Sequence, residues 1–260
     1  MENNKKSLLR AWLRTILCLI FWFLIWWALA LAVSRAVVLP TPFAVAKRIA
    51  ALLPEPTFWR TCASSLVRIF AGLLLGLFTG ILLAALSVCS RVADALLTPL
   101  ITVVKATPVA SVILLMLFIL GKNAVPVIAA WLMVIPIVYM NGKRGIESVP
   151  REQKEVAQIY RLGFGKRLKT MIIPAFLPYF SAACRSALGL AWKAGIAAEV
   201  ICSPDHSIGG MLSDAKIYLE SEDLYAWTVI VILLSILIEK GLVALLAHFT
   251  QKEGNADATV

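Results

Sequence analysis

The sequence predicts an all-α integral membrane protein with six transmembrane helices. Of its 260 residues 60% are hydrophobic and only 15% charged, against about 45–50% apolar and about 25% charged in an ordinary soluble domain. The charges are also confined to short intervals between apolar runs, several of which reach the roughly 20 residues a helix needs to cross the hydrocarbon core. A soluble fold of this length has no means of covering so much apolar surface. The formal charge of +10 is not a nucleic-acid footprint, because the basic residues form no continuous polar face. Their spacing between spans is what the positive-inside rule expects, and no nucleic-acid partner is predicted.

The first span covers residues 11–33 and carries no charge after Arg14. Ala28-Leu29-Ala30 resembles a signal-peptidase site, but the apolar run exceeds the roughly 7–15 residues of a signal h-region, so the segment reads as an anchor. Residues 34–59 follow, where Pro40, Pro42, Pro54 and Pro56 frame a short helix over 43–53. Its apolar face opposite Lys47 and Arg48 marks it as interfacial rather than spanning. Further spans are expected at 61–88, 97–120, 124–140, 176–202 and 224–248.

Orientation follows from the loops. Lys5, Lys6, Arg10 and Arg14 crowd the N-terminus, and eight basic residues between Lys143 and Lys169 separate spans four and five. Between spans five and six, Asp205, Asp214, Glu220, Glu222 and Asp223 face Lys216 alone. Six spans with an inside N-terminus place the basic loop in the cytoplasm and the acidic loop outside. Lys47 and Arg48 depart mildly from this pattern. The expected division is a cytoplasmic N-terminus (1–10), a single membrane domain (11–248) with a cytoplasmic loop at 143–174, and a cytoplasmic tail (249–260).

Two spans carry small residues every fourth position: Gly72, Gly76, Gly80 and Ala84 in the second, and Ala183, Ala187, Ala191 and Gly195 in the fifth. In lipid, helices associate by close backbone approach, which small side chains permit. Packing within one chain and a dimer seam both fit. Arg68, Lys105, Arg185, Lys193 and Glu199 lie inside apolar runs, where each charge costs about 2.5–3.5 kcal/mol at a helix centre unless it snorkels or pairs. Arg68 and Glu199 both belong to the outer part of their spans and are within reach of one another. A structural ion pair and a pathway lining are both open. Lys105 precedes Thr107-Pro108, where proline removes a helical hydrogen bond and sets a kink in span three suited to a gate.

The segment 149–178, VPREQKEVAQIYRLGFGKRLKTMIIPAFLP, is too polar to span and too long for a simple connector. Residues 152–162 form a helix with Val156, Ile159, Tyr160 and Gly163 near one face. Gly163 and Gly165 then provide a sharp turn, because glycine tolerates positive φ. Pro174 breaks the next segment before span five. A short helix, a turn and a second helix make a protruding knob suited to docking a soluble partner.

This loop resembles the coupling loop, or EAA motif, of type I ATP-binding-cassette importer permeases. That pattern places Glu-Ala-Ala, a glycine four residues on, and a proline thirteen after that. Glu155, Val156, Ala157 and Pro174 stand in register, with Val156 for the first alanine and Arg161 for the glycine; Gly163 follows two residues later. Ile135-Pro136 with Asn141-Gly142, the run LGLAWKAGIAAEVI over 188–201, Ser207-Ile208-Gly209-Gly210 and Asp223-Leu224-Tyr225-Ala226-Trp227 resemble the nitrate/sulfonate/taurine branch. The resemblance implies a type I permease fold in a bacterial inner membrane, a second permease subunit (a homodimer), two ATPase subunits and an extracytoplasmic substrate-binding protein. It implies a coupling role for Glu155, Val156, Ala157, Arg161, Gly163 and Pro174; Arg68, Lys105, Lys193 and Glu199, as charges within apolar runs, are the candidates for the pathway or an intramembrane pair.

No GxxxxGK[ST] phosphate loop occurs, so ATP is expected to be hydrolysed on another subunit, and no cofactor is expected. The five cysteines form no CxxC pair and read as small apolar side chains, and His206 and His248 are isolated. A membrane component of an energy-coupling-factor transporter would carry Ala-Arg-Gly-like triplets, which are absent. A lipid-processing enzyme would need clustered carboxylates or a nucleophile with its base. Asp205, His206 and Asp214 offer no such spacing. A structural scaffold would leave the intramembrane charges and the coupling pattern unexplained. The basic residues within spans favour an anionic or carboxylated solute.

Overall fold

The computed structural model describes residues 2–35 and 37–256, with side chains for 13–18, 20–35 and 37–244. The chain ends at 1 and 257–260 lie outside the described residues, as do the side chains of Lys5, Lys6, Arg10 and His248. Every regular element among the described residues is helical. Five helices are long and apolar enough to span: Leu13–Val33, Pro56–Cys89, Val125–Glu147, Phe164–Cys202 and Ser221–Ala244. A sixth candidate is a pair, Arg91–Ala106 and Val109–Leu120, bent by 98°.

The chain divides into two compact units, one of residues 1–59 and 211–230, the other of 60–210 and 231–260. In the first, α1 (Glu2–Val33) is followed by α2 (Pro42–Leu52). Thr41 starts α2 as its N-cap, accepting from the Ala44 amide at 3.3 Å, and Pro42 occupies the first turn, where its missing N–H is harmless. Pro42, Val45 and Leu52 form the buried face. On the polar face the Arg48 guanidinium forks onto Asp223, at the start of α11 (Ser221–Ala256), with Nη2 at 2.9 Å from Oδ2. That pair balances one of the two cations that depart from the charge rule, and Asp223 holds the Arg48 pKa above its ordinary value. Nearby, Trp26 stacks on Tyr225 and Phe58 on Trp227.

The second unit is built on α3 (Pro56–Cys89), α6 (Val125–Glu147) and α9 (Ile173–Cys202). The glycine stripe of α3 lies on α6: a Cβ placed on Gly76 would sit 2.5 Å from Val134 Cβ, and one on Gly72 only 2.3 Å from the Val127 carbonyl oxygen. These approaches are closer than any side chain allows, so the stripe works within this chain. The α9 stripe Ala183, Ala187, Ala191 and Gly195 is buried as well. A hydrogen bond from Trp131 Nε1 to Thr79 Oγ1 (3.0 Å) adds a polar tie between α3 and α6.

Three boundaries differ from the sequence reading. α6 runs on to Glu147, so Lys143 and Arg144 belong to its last turns rather than to a loop. Span three is two helices, α4 (Arg91–Ala106) and α5 (Val109–Leu120), instead of one kinked rod. Pro108 excludes Thr107 from the helical region, and Thr107 adopts φ −72, ψ 129. Thirdly, Pro174 does not break the chain. It lies in the first turn of α9, preceded by α8 (Phe164–Arg167) and a π-helical turn, Leu168–Ile172. The wider turn accommodates a position without an N–H donor, and helix continues from Phe164 to Cys202.

Candidate functional site

The segment after α6 forms the knob. Pro150, in extended backbone, leads into α7 (Arg151–Ile159), whose first turn carries Glu152 at the positive end of the helix dipole. Glu155 points to solvent and pairs with Arg151 at 3.0 Å across one turn. Ala157 is buried, and its carbonyl accepts from Arg167 Nη2 at 3.3 Å, which ties α7 to α8. Val156, Ile159, Tyr160 and Phe164 are all exposed. A small surface thus presents four large apolar side chains beside an ion pair.

The knob turns at Arg161, not at Gly163 or Gly165. Arg161 has φ +47, its amide donates to Gln158 O at 3.1 Å, and the Leu162 amide donates to Ala157 O at 2.9 Å. This pattern is a Schellman ending, in which the residue past the cap is left-handed and is most often glycine. The helix end at Tyr160 fixes that residue as 161. Gly163 instead has φ −63, ψ 157, and a Cβ there or on Gly165 would meet nothing. Arg161 therefore stands where the local backbone favours glycine, the position at which the EAA pattern has one.

A second cluster joins Arg68 of α3 to Glu199 of α9, at 3.2 Å between Nη1 and Oε1. Glu199 is fully buried. It also accepts from Ser65 Oγ at 2.7 Å and from the Gly209 amide at 3.2 Å. Ser65 in turn accepts from the Ile208 amide at 2.9 Å, and Ser207 Oγ accepts from the Gly210 amide at 3.0 Å. The first three amides of α10 (Ile208–Ile217) are thereby satisfied, as a helix N-terminus requires. Arg68 further donates to the carbonyls of Asp205 and His206. Gly209 is needed here because a Cβ would lie 2.3 Å from Glu199 Cβ.

The same loop is latched to the turn before α6. Lys122 Nζ lies 2.6 Å from Asp205 Oδ1, Asn123 Nδ2 donates to Oδ2 at 3.2 Å, and the Asp205 amide donates back to Asn123 Oδ1 at 3.2 Å. The Lys122 hydrogen bond, then that of Asn123, lowers the Asp205 pKa. Near the far end of α6, Asp94 binds Lys143, Ser87 and Thr98, and Tyr139 OH lies 2.8 Å from Ser87 Oγ. Neither cluster follows a short motif: Asp94 and Lys143 are 49 residues apart, Lys122 and Asp205 83. Only their polarity beside apolar runs distinguished them in the sequence.

Lys105, Arg185 and Lys193 have no carboxylate within salt-bridge distance among the described residues, and all three are exposed. Arg185, Gly189 and Lys193 recur every four residues, so they share one face of α9. Lys105 lines a cavity of about 440 Å³ with Pro136, Met140, Asn141 and Arg144 of α6 and Leu190 of α9. Arg68 and Glu199 therefore meet each other, whereas Lys105 and Lys193 stand apart from that pair. Among the described residues no group of three His, Cys, Asp or Glu is arranged to hold a metal.

Comparison with known proteins accords with this architecture. The taurine transport system permease protein TauC of Escherichia coli is 26% identical over 238 residues, 88% of this chain and 86% of TauC. The bicarbonate transport system permease protein CmpB of Synechococcus elongatus is 29% identical over 164 residues, 63% of this chain and 59% of CmpB. The nitrate import permease protein NrtB of the same species is 32% identical over 153 residues, 58% of this chain and 54% of NrtB. The matches thus span a little over half the length of the two cyanobacterial proteins. Residues 72–252, which hold α6, the knob, the Arg161 turn and Glu199 but not its partners Ser65 and Arg68, match the model of one family. The chain belongs to that family, the binding-protein-dependent transport system inner membrane components.

Proposed function

We propose that this chain is the translocation subunit of an ATP-binding-cassette importer, with the knob as its point of attachment to the motor. The observation that carries the reading is the knob itself: four exposed apolar side chains around Glu155, on a helix end fixed by the Schellman turn at Arg161. An apolar patch with polar edges, held on a short rigid helix, fits a docking site for a soluble protein. ATP hydrolysis falls to two separate ATPase subunits, and closure of those subunits is transmitted through α7 into rocking of the spanning helices. A second copy of the permease completes the pathway, and an extracytoplasmic binding protein delivers the solute. The N- and C-termini and the knob are cytoplasmic, residues 11–248 act as one membrane domain, and the acidic segment between α9 and α11 faces outward to the binding protein.

The Arg68–Glu199 pair is structural in this reading, because every oxygen of Glu199 is used to hold α10 and α3. Lys105 and Lys193, without a carboxylate partner among the described residues, line the route of an anionic solute. The relatives' names point to bicarbonate, taurine and nitrate, and the solute here belongs to that range of small anions and zwitterions.

Cysteine cross-linking tests the docking. Ile159→Cys, at an exposed position on α7, is expected to cross-link to the ATPase subunit when the two are co-expressed, whereas Leu115→Cys, exposed on α5, is not. Equal cross-linking from both positions, or none from Ile159→Cys, would remove the knob from the interface.

A further inference from the structure

We propose that Arg161 is a specificity-determining side chain of the knob, received by a carboxylate on the ATPase subunit at the edge of its docking groove. The contact rests on the docking role of the knob and specifies the partner's chemistry there. Arg161 is the one residue from 151 to 169 with positive φ, at +47. That conformation crowds a Cβ against the following carbonyl, and glycine would relieve it. Strain of this kind gathers at sites that bind or switch. Nothing within the chain makes use of the side chain. It is exposed, and its guanidinium has no carboxylate within salt-bridge distance among the described residues. The bonds that close the turn, from the amides of Arg161 and Leu162, are backbone bonds that glycine would make equally well.

The surroundings of Arg161 point to an acidic protein surface. Ile159, Tyr160 and Phe164 flank it in the chain and are 77%, 74% and 76% exposed. Arginine beside exposed aromatic side chains is the composition that protein interfaces favour. Residues 151–169 carry six cations against Glu152 and Glu155. Arg151 is drawn onto Glu155, and Arg167 onto the Ala157 carbonyl. Lys154, Arg161, Lys166 and Lys169 are left without a carboxylate among the described residues, a sign that an acidic groove complements. Arginine sets the chemistry further. Its planar fork binds a carboxylate through two parallel hydrogen bonds, and it is more weakly hydrated than an ammonium, so it leaves water readily beside apolar groups. An anionic bilayer surface is the competing acidic partner. It would repel Glu152 and Glu155 on the same short helix, whereas a folded protein answers both signs of charge.

Binding of the purified ATPase subunit to the full chain tests the contact, in nanodiscs of phosphatidylcholine with and without phosphatidylglycerol and at several salt concentrations. Arg161→Gly relieves the strain, yet it is expected to weaken binding about tenfold and to flatten the salt dependence, because a charge-assisted pair is lost. Arg161→Lys keeps the charge without the fork, so its affinity should fall between the two. Carbodiimide, which couples an amine to a carboxylate, should give Arg161→Lys a cross-link to an Asp or Glu of the ATPase subunit that the native chain lacks, mapped by mass spectrometry. Arg161→Gly binding as tightly as the native chain at every salt concentration would overturn the proposal, as would Arg161→Lys with no new cross-link. An effect of Arg161→Gly confined to nanodiscs with phosphatidylglycerol would also overturn it, since the side chain would then serve the bilayer. Ile159→Asp, at an exposed position, separates this contact from the docking role. Binding lost in Ile159→Asp but untouched in Arg161→Gly removes the Arg161 contact and leaves the knob as the docking site; binding indifferent to both removes the knob.

Discussion

The amide of Leu162 donates to the carbonyl of Ala157 at 2.9 Å, closing α7 over a left-handed Arg161. The bond places a side chain where glycine is the unstrained choice, at roughly 1–2 kcal/mol for a residue with a Cβ. Arg161→Gly is therefore expected to steady the knob by about 1 kcal/mol. Amide hydrogen exchange at Leu162 should slow about fivefold, and Arg161→Val should hasten it, because a β-branched residue tolerates positive φ least.

The α3–α6 seam gives a steric prediction. Gly76→Ala puts a methyl group 2.5 Å from Val134 Cβ, so the helices must part. Overpacking of this kind costs about 1–3 kcal/mol. Thermal unfolding in detergent should show a lowered midpoint for Gly76→Ala, with partial recovery in Gly76→Ala/Val134→Gly, which removes the side chain that the new methyl meets.

Glu199 is predicted to matter more than its partner. Glu199→Ala leaves the Arg68 guanidinium, Ser65 and the Gly209 amide without their shared acceptor, an effect of about 3–5 kcal/mol for a broken buried pair. Arg68→Leu leaves Glu199 still bonded to Ser65 and Gly209 and should destabilise less. A double-mutant cycle should find Arg68→Leu/Glu199→Ala well short of the sum of the single effects. Additive values would mean that the two residues act independently.

The Asp205 latch carries a pH dependence. Its carboxyl titrates below the ordinary range because Lys122 and Asn123 bind the charged form. A depressed folded-state pKa contributes stability in full above the ordinary value of about 3.9, and the contribution is lost as pH falls through the lower folded value. The melting temperatures of the native chain and Asp205→Asn should differ at neutral pH and converge in acid. A gap that widens as pH falls would contradict the latch.

Much of this architecture is legible in the sequence. Apolar run length marks the spans, and the four-residue glycine spacing marks the face of α3 that meets α6. The α4–α5 angle is not legible, because a proline signals a break without fixing its direction. The turn of the knob escaped for a related reason. Gly163 and Gly165 advertise positive φ, but the helix end at Tyr160 decides which residue takes it, and that end is set by buried Ala157 and its carbonyl bond from Arg167. Arg68 and Glu199 were legible as costly charges. Their partners Ser65 and Gly209 were not, since neither is unusual in its own stretch of chain.

ATP-driven uptake in proteoliposomes holding the permease, its ATPase subunits and its binding protein tests the central claim, with Glu155→Lys as the variant. Glu155 is exposed and its pair with Arg151 is a surface one, a kind worth at most about 1 kcal/mol, so the substitution should leave the fold and membrane insertion intact. If α7 docks the motor through this face, uptake should be abolished while the permease remains in the membrane at its normal level. Uptake at the native rate in Glu155→Lys would contradict the assignment of the knob.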